Sequence, residues 1–312
     1  MNAPLAYARG SSVSCFNMLN DLFFGFSKAL YSTWIFYKPD HLLFDCGEGA
    51  ATALGNGGYG IEKVLLTHGH MDHISGLPVL LGSRAAGMGD PQKPLQIYFP
   101  RGDKFVLQMQ EYISKSFRNL PFSLEWIALD ERDQIPLRGK RHLETFRTEH
   151  IRNQLTLGYR LVETRHRIKS TFAHLSQDDI AQIARQDGKE AVAALSENYS
   201  AKVLIVGGDG LPLNVSDISN AEILFHEATL IDSIERAGQM HSTLDEAAQT
   251  AAAAHVQALV LYHISGRYRA AEIKKAVLAA QNKHNAAFPI WMLHHNRLLN
   301  ITKYGYQTQI KK

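Results

Sequence analysis

The chain has 312 residues, of which 45% are hydrophobic and 20% are charged, with 23 glycines and 10 prolines. This composition excludes collagen-like, low-complexity and wholly disordered classes of protein, and a formal charge of +3 permits a nucleic-acid partner without indicating one. Two cysteines, Cys15 and Cys46, are too few for a disulfide framework, and no apolar run is long enough to cross a membrane, so we expect a cytoplasmic protein.

Short apolar and β-branched runs predict β-strands along the whole chain, beginning at residues 29–37 and 41–45. Lys38-Pro39-Asp40 separates these two runs and predicts a hairpin turn, because proline and aspartate favour turn conformations. Further strands are predicted at residues 63–67, 95–99, 124–129, 143–148, 155–162, 202–206, 222–226, 258–262 and 288–293.

Helices are predicted between some of these strands. Apolar residues at helical spacing from Phe105 to Phe117 give one helix an apolar face, and residues 180–195 and 271–281 also have helical patterns. Thr243 and Glu246 form a capping box that predicts the start of another helix near residues 244–255.

The alternation of strands and helices predicts an α/β fold, in which one sheet packs on another and helices cover the outer faces. No Pro/Gly/Ser-rich linker divides the chain, so residues 1–312 are predicted to form a single domain. The polar stretch at about residues 163–200 is predicted to be a helical insertion in this domain.

The strongest chemical signal follows the strand at residues 63–67, which runs directly into His68-Gly69-His70-Met71-Asp72-His73. Imidazole nitrogens and carboxylate oxygens suit Zn²⁺, Mn²⁺ or Fe²⁺. The spacing allows the first two histidines to serve one ion and Asp72 with His73 to serve a second. A histidine-rich surface turn is the alternative interpretation.

This H-x-H-x-D-H motif after an apolar strand resembles the signature of the metallo-β-lactamase superfamily, and the chain resembles the ribonuclease Z branch in particular. Further motifs occur in the order of that branch: LFDCGEG at 43–49, FHEAT at 225–229, HST at 241–243 and HISGRY at 263–268. The resemblance implies a four-layer αββα metallo-β-lactamase-like sandwich and a homodimer.

The resemblance also implies a site for two divalent metal ions, with zinc expected and manganese or iron as alternatives. His150, Asp209 and His263 each lie where a predicted strand ends, as the first motif does. One ion would be bound by His68, His70 and His150, the other by Asp72, His73 and His263, and both by Asp209. A surface histidine is the alternative interpretation of His150.

Three residues would have further roles by resemblance. Asp72 would orient a hydroxide that bridges the two metals while it also binds one of them. His241 would stabilise the substrate phosphate or protonate the leaving oxygen, and Glu227 would hold the other ring nitrogen of His241. The alternatives are a polar residue beside the Thr243 cap for His241 and a structural salt bridge for Glu227.

The implied activity is that of a ribonuclease Z-type phosphodiesterase, which cleaves RNA at the 3′ end of a tRNA precursor. A hydrolase of the same fold that acts on small phosphodiesters, cyclic nucleotides, esters or thioesters is the second hypothesis. The third is a metal-binding interaction module without catalysis, although scaffolding does not require seven ligands and a candidate acid. The pairing of Glu227 with His241 favours phosphodiester chemistry.

The chain departs from the ribonuclease Z pattern in three places. Residues 10–30 have neither the Gly-Thr strand nor the Pro-x-x-x-Arg-Asn stretch, and Gly210 stands where the family generally has threonine. The interval that encodes the Gly/Pro-rich, basic tRNA-binding arm of the family has no proline at residues 176–198 and is predicted to be helical. The basic runs at 138–142 and 165–169 could contact a phosphate backbone instead, or be solvated surface charges.

Overall fold

A computed structural model describes residues 19–87, 93–294 and 296–302 of the chain. Cys15 and the first part of the stretch at residues 10–30 lie outside these residues, whereas Cys46 is a buried free thiol. Within the described ranges, no helix has the length and apolar character that crossing a membrane requires.

Six strands form the first sheet in simple sequence order, β1 to β6. The first three strands pair antiparallel, and β3 to β6 are parallel. The strands are β1 (Phe23–Lys28), β2 (Ser32–Tyr37), β3 (Leu42–Phe44), β4 (Lys63–Leu65), β5 (Leu95–Pro100) and β6 (Leu124–Leu129).

Eight strands form the second sheet in the spatial order β14-β13-β12-β11-β10-β9-β8-β7. The four central strands β10 to β13 are parallel, whereas the outer strands pair antiparallel. The strands are β7 (Gln134–Pro136), β8 (Arg141–Thr148), β9 (Thr156–Ile168), β10 (Ser196–Val206), β11 (Ile223–Glu227), β12 (Leu259–Tyr262), β13 (Ile290–His294) and β14 (Arg297–Asn300).

Nine α-helices connect these strands within the described ranges, together with short 3-10 turns at Lys38–Asp40, Gly55–Gly60, Ser170–Phe172 and Ser233–Arg236. The helices are α1 (Ala50–Leu54), α2 (Met71–Ile74), α3 (Leu77–Gly87), α4 (Lys104–Ser116), α5 (Gln177–Gln186), α6 (Gly188–Ala194), α7 (Val215–Ile218), α8 (Leu244–Ala253) and α9 (Ala270–Lys283).

The two sheets pack face to face and helices cover both outer faces. Because side chains alternate along a strand, each sheet contributes one set of apolar residues to the inner core and another to a helix interface. The inner core includes Leu65 of β4 and Val260 of β12. Ile97 of β5 packs outward under α3 and α4, and Leu261 packs under α8 and α9. The predicted αββα sandwich is therefore confirmed.

The predicted elements correspond to the observed ones with some corrections. The hairpin at residues 38–40 and the Thr243 capping box are both present. The predicted strand at 29–37 is wrong in its first part: residues 29–31 form the turn between β1 and β2, and β1 was not predicted. Strands β7 and β14 and the short helices α1 to α3 were not predicted either.

The segment at residues 163–200 is only partly helical. Its two ends are the outer halves of β9 and β10, which pair from Glu163–Ala201 out to Ile168–Ser196 and form a ribbon. Helices α5 and α6 lie at the end of this ribbon, and none of their residues is buried. We call these two helices the helical tip. The prediction of helix over 176–198 is wrong from residue 196 onward, where β10 begins.

Gly158 of β9 is a position at which the second sheet has no room for a side chain. It lies opposite Phe146 of β8, and a Cβ atom there would be 2.2 Å from the Phe146 ring. We expect Gly158→Ala to lower the free energy of unfolding by about 1–3 kcal/mol, the usual cost of overpacking. Urea denaturation measures this change.

Gly82→Ala in α3 is the matched control for this substitution. Its Cβ would lie 3.6 Å from Phe117, an ordinary contact, so the helix should gain up to about 1 kcal/mol. Equal stability of the Gly158 variant and the wild type would contradict the packing described here.

Candidate metal centre

Seven polar side chains converge at one edge of the sandwich because strands from both sheets end there. The carboxyl ends of parallel strands share an edge, so the residues that follow β4, β10 and β12 come together. The short helix α2 adds two of the seven side chains, and the residue two positions after β8 adds another. The seven are His68, His70, Asp72, His73, His150, Asp209 and His263.

The first cluster consists of His68, His70 and His150, each of which has a ring nitrogen within 4.8 Å of the others. Nδ1 of His70 lies 3.2 Å from Nε2 of His150. His68 is fully buried and His150 is 8% exposed. Three imidazoles in this arrangement can bind one metal ion.

The second cluster consists of Asp72, His73 and His263. Oδ2 of Asp72 lies 3.3 Å from Nε2 of His263 and 3.8 Å from Nε2 of His73. A carboxylate with two imidazoles is also a common ligand set for a divalent metal ion.

Asp209 lies between the two clusters. Its Oδ2 atom is 3.0 Å from Nε2 of His263, 3.3 Å from Nε2 of His73 and 4.0 Å from Nε2 of His150. The carboxylate is 2% exposed, so these histidines replace the water that would otherwise solvate it. The structure thus brings all seven predicted residues together, with Asp209 placed to contact either cluster.

Hydrogen bonds fix the tautomer of the histidines that follow β4. The hydroxyl of Thr67 donates to Asp45 at 2.9 Å, so at 3.0 Å it accepts the Nδ1–H of His68. Nδ1 of His73 donates to the same Asp45 carboxylate at 2.8 Å. Both rings therefore use Nδ1 for these hydrogen bonds and direct Nε2, the nitrogen left for a metal, towards the centre.

The histidines of the second sheet are held in the same way. The hydroxyl of Thr229 donates to Glu227 at 2.9 Å, which leaves its oxygen to accept the Nδ1–H of His263 at 2.8 Å. Nδ1 of His150 donates to the carbonyl oxygen of Met240 at 3.0 Å. Four imidazoles thus have their Nε2 atoms oriented inward before any ion binds.

Three buried atoms at this centre have no hydrogen-bond partner among the described residues: Nε2 of His68, Nε2 of His73 and Oδ1 of Asp209. Buried polar atoms are normally hydrogen-bonded, because leaving one unpaired costs about 1–3 kcal/mol. All three atoms are metal-ligand atoms, so the donor set fits divalent metal ions.

Burial keeps part of the centre neutral. It lowers the pKa of His70 and of His150, and together with the nearby His73 it holds the pKa of His68 well below its usual range. Neutral imidazoles are the form that binds a metal.

The other side of the centre holds a charge pair. Burial disfavours the charged form of His73, but Asp209 and Asp45 outweigh burial and raise its pKa well above the usual range. Burial also opposes ionisation of Asp209, but His263 and His73 hold the pKa of that carboxyl well below its usual range. A proton on His73 thus supplies the positive charge next to Asp209, and metal binding would release this proton.

Glu227 and His241 lie next to the seven residues. Oε1 of Glu227 accepts Nδ1–H of His241 at 2.9 Å, and this contact raises the pKa of His241 although burial opposes the charged form. The His241 ring centroid is 4.8 Å from that of His150 and 5.4 Å from that of His263. His241 therefore adjoins both clusters, with Nε2 as its remaining polar atom.

Gly210 contributes a backbone group to the same network. Its N–H donates to Oε1 of Glu227 at 3.2 Å, and its φ of +151° is one that residues with a side chain rarely adopt. A Cβ atom would lie 2.8 Å from the carbonyl oxygen of Glu149. Threonine therefore does not fit this position in the present chain.

The turn between β1 and β2 contacts the centre through its backbone. The N–H of Leu30 donates to Oδ2 of Asp72 at 3.0 Å, and the N–H of Ala29 donates to the carbonyl oxygen of Ile264 at 3.3 Å. Leu30 has a φ of +68°, and its side chain is 86% exposed. We call residues 29–31 the hairpin turn, as distinct from the turn at residues 38–40. The Leu30 amide of the hairpin turn fixes the position of the Asp72 carboxylate.

Asp45, Thr67 and Thr229 were not predicted as members of the centre. Asp45 belongs to the LFDCGEG motif, Thr67 directly precedes the His68–His73 motif and Thr229 ends the FHEAT motif, but nothing in their spacing assigns them a partner. A short polar residue at a strand end, next to a metal-binding motif, is the signal that could have found them.

The two predicted basic runs are largely neutralised by carboxylates. Arg138 pairs with Glu62 at 3.1 Å and Arg141 pairs with Asp40 at 2.8 Å. In the second run, Arg165 pairs with Glu163 and Glu222, and Arg167 pairs with Glu197. These pairs weaken both runs as sites for a phosphate backbone.

Comparison with known proteins gives a family model, a set of relatives and a fold. The matching family model is that of the anti-Pycsar protein Apyc1, over residues 25–192. A ribonuclease Z from Bacillus cereus is 30% identical over 265 residues, which cover 77% of this chain and 83% of the relative.

Two solved structures share the fold. The metallo-β-lactamase fold protein YhfI from Bacillus subtilis has a TM-score of 0.61 at 16% identity and covers 88% of this chain and 98% of its own. The short form of human tRNase Z has a TM-score of 0.59 at 21% identity and covers 89% of this chain and 97% of its own. The chain therefore matches the Apyc1 family and is related to the ribonucleases Z within the metallo-β-lactamase superfamily, and it is a metal-dependent hydrolase.

Proposed function

We propose that the chain is a phosphodiesterase with two zinc ions. The observation that carries this proposal is the convergence of four tautomer-fixed imidazoles on Asp209, with a ligand cluster on either side. His68, His70 and His150 would hold one ion, Asp72, His73 and His263 the other, and Asp209 both. Two such ions, when bound, lower the pKa of a shared water and stabilise charge on phosphate oxygens. Nitrogen and oxygen ligands without thiolate favour zinc, with manganese or iron as alternatives.

The surrounding residues would orient the reacting groups. The Leu30 amide holds one oxygen of Asp72, so this carboxylate would keep a fixed direction when it binds a metal ion and would orient the attacking water. Glu227 holds Nδ1 of His241, which leaves Nε2–H of the charged ring free to donate to a phosphate oxygen or to the leaving oxygen. Glu227 itself accepts hydrogen bonds from Thr229 and Ser242, so its own position is fixed.

Small phosphodiesters, cyclic nucleotides among them, are the substrates that this chain favours. The helical tip occupies the interval where ribonuclease Z relatives would be expected to bind tRNA. With Asp187, which joins its two helices, it has four acidic and two basic residues. Its negative charge would repel a phosphate backbone. The paired arginines of the two basic runs do not offset this repulsion.

Cleavage at the 3′ end of a tRNA precursor is the second candidate. The observation in its favour is the ribonuclease Z relative, which is 30% identical and covered over most of its length. By the same resemblance the protein would act as a homodimer, and a second copy could supply the phosphate contacts that the helical tip lacks.

The deciding experiment compares substrates side by side at physiological salt. We expect the zinc-loaded protein to hydrolyse bis(p-nitrophenyl) phosphate and a cyclic nucleotide, and to bind precursor tRNA weakly, with an affinity that falls steeply as salt rises. Efficient tRNA cleavage at physiological salt would instead establish the second candidate. Cleavage of none of the three substrates would exclude both candidates and leave the ester or thioester alternative.

Replacement of His241 by alanine separates metal binding from catalysis. We expect His241→Ala to retain both ions and to lower turnover by roughly 10²- to 10⁴-fold, the usual contribution of a positioned acid or base. Elemental analysis and steady-state kinetics measure the two effects. His142→Ala, which removes a partner of Glu144 on β8, is the control and should change neither. Loss of metal from the His241 variant, or full activity, would contradict the proposed role.

A further inference from the structure

Arg236 ends the 3-10 turn at Ser233–Arg236, in the loop that joins β11 to helix α8. Its guanidinium bonds to two groups: Nε donates to the backbone carbonyl oxygen of His241 at 2.9 Å, and a terminal nitrogen pairs with the carboxylate of Glu246. The Arg236 side chain is 25% exposed, so water only partly competes for these contacts. Hydrogen bonds from a charged donor are stronger than those between neutral groups.

A tight turn brings the chain after Arg236 back towards it. The N–H of Gln239 donates to the carbonyl oxygen of Arg236 at 2.7 Å, and the two residues between them, Ala237 and Gly238, have φ values of +45° and +84°. Two successive positive φ values with this hydrogen bond are typical of a type I′ turn, which reverses the chain. The Arg236 side chain can therefore reach the carbonyl group of a residue five positions further on.

The peptide group that joins His241 to Ser242 is held at both of its polar atoms. Arg236 donates to its oxygen, and its N–H donates to Oε1 of Glu227 at 2.9 Å. The same oxygen of Glu227 accepts Nδ1–H of the His241 ring. A peptide group is planar and includes the Cα atom of His241, so contacts on both of its sides fix the direction of the backbone there. We call Arg236, this peptide group and Glu227 the peptide clamp.

The other side of the guanidinium is anchored on helix α8. Oε2 of Glu246, which pairs with Arg236, also accepts the N–H of Thr243 at 2.9 Å in the capping box. Burial disfavours the charged form of Glu246, but the hydrogen bonds from Arg236 and Thr243 outweigh burial and lower its pKa. Glu246 is therefore a charged partner that holds Arg236 in place from the first turn of the helix.

We infer that Arg236 is a positioning residue for His241: it fixes the peptide group after His241 and so holds the imidazole against Glu227 and next to both ligand clusters. The inference rests on the proposed phosphodiesterase function, in which His241 donates to a phosphate oxygen or to the leaving oxygen. Without Arg236, the Glu227 contact alone orients the ring while its backbone can turn. A displacement of about 1 Å in a reacting group can cost about 10²-fold in rate.

Arg236→Met removes the donors and keeps an apolar side chain. We expect kcat of the zinc-loaded protein to fall by roughly 10- to 100-fold, the usual effect of losing a group that orients a functional residue, with KM and metal content unchanged. The substrate is bis(p-nitrophenyl) phosphate or cyclic AMP, whichever the wild type hydrolyses faster. Lys283→Met is the matched control, because Lys283 pairs at 2.7 Å with Asp245, the neighbour of Glu246, and should change none of these quantities.

A double variant separates positioning from a general structural effect. If Arg236 acts through His241, Arg236→Met should change kcat by less than about twofold once His241 is alanine, because the effects of residues that act as one unit do not add. Equal fold losses in both backgrounds would overturn the inference, and so would loss of metal from Arg236→Met or an unchanged kcat.

Arg236→Lys keeps the test valid if the methionine variant is unstable. Its ammonium can still pair with Glu246 but cannot reproduce the fork of a guanidinium that also reaches His241. We therefore expect an unfolding temperature close to that of the wild type together with a lowered kcat. Wild-type kcat in Arg236→Lys would show that the contact with His241 is not needed.

Hydrogen exchange at the Ser242 amide tests the peptide clamp without catalysis. Ser242 is fully buried and its N–H is bonded to Glu227, so this amide should exchange slowly in the metal-free wild type. Loss of one hydrogen bond from a charged group corresponds to about 10- to 100-fold, and we expect Arg236→Met to accelerate the exchange by at least about 10-fold. Lys283→Met should leave it unchanged.

The exchange measurement distinguishes this inference from the proposed function. If the wild type hydrolyses neither diester but the Ser242 amide exchanges faster in Arg236→Met, the proposed function fails and the peptide clamp stands. If the wild type hydrolyses a diester and the exchange rate does not change, the peptide clamp is wrong and the phosphodiesterase stands.

Discussion

Replacement of Asp209 by asparagine is expected to remove the metal ions from both clusters at once. Its Oδ2 atom lies within 4.0 Å of Nε2 of His73, His150 and His263, and it is the anion that both clusters share. A neutral amide binds metal far more weakly, so metal affinity should fall by more than the 10- to 100-fold that changes outside the ligand set cause. Activity should fall to that of the metal-free protein.

Elemental analysis after dialysis, together with a competition titration against a chelator, measures this loss. Asp130→Asn is the matched control, because Asp130 is an exposed carboxylate that pairs with Arg101 and lies outside the metal centre. The assignment of Asp209 would be refuted by a variant that keeps two ions per chain and normal turnover.

The second large effect is expected at Arg84, a fully buried cation in helix α3. Its guanidinium donates to the carbonyl oxygens of Tyr59, Ile61 and Lys93 at 2.8 to 2.9 Å and lies over the ring of Phe122. Among the described residues no carboxylate pairs with it, and burial lowers its pKa. This one side chain joins α3 to the turn before β4 and to the start of β5.

Arg84→Met should leave at least three carbonyl oxygens buried without donors. Each unpaired group costs about 1–3 kcal/mol, so we expect the free energy of unfolding to fall by about 3–5 kcal/mol, a large part of the stability of a typical domain. Urea denaturation measures the change. The free energy of unfolding of Arg84→Lys should lie between those of the wild type and of Arg84→Met, since an ammonium has three donors in place of five.

Arg118→Met provides the control, because Arg118 is exposed and its replacement should change stability by no more than about 0.5 kcal/mol. A small effect at Arg84 as well would mean that water reaches the freed carbonyl oxygens.

The candidate site was more predictable than some of the fold around it. Four of the seven converging residues lie within six positions of the sequence, so a local pattern was sufficient to find them. The other three each follow an apolar strand and were assigned through the resemblance to ribonuclease Z motifs. The partners that orient their rings were not found, because Asp45 and Thr229 meet His73 and His263 only through tertiary contacts. Homodimer formation and a cytoplasmic setting stay predictions.

The errors in the fold have physical causes as well. The hairpin turn contains no glycine, proline, asparagine or aspartate, so the run at residues 29–37 was predicted as one strand. Leu30 adopts a positive φ without the residue types that usually mark such a turn. The outer halves of β9 and β10 form a ribbon with few buried residues, and they lack the apolar alternation by which strands are recognised.

The contact between Leu30 and Asp72 determines which kinds of change the hairpin turn can tolerate in evolution. The group that holds the carboxylate is a backbone amide, and every residue except proline supplies one. Substitution of Leu30 is therefore neutral for this contact, and glycine or asparagine would even adopt the positive φ more easily. Insertion or deletion of one residue would move the amide away from Asp72. The length of this turn, and not its sequence, is the property that selection for metal binding would preserve.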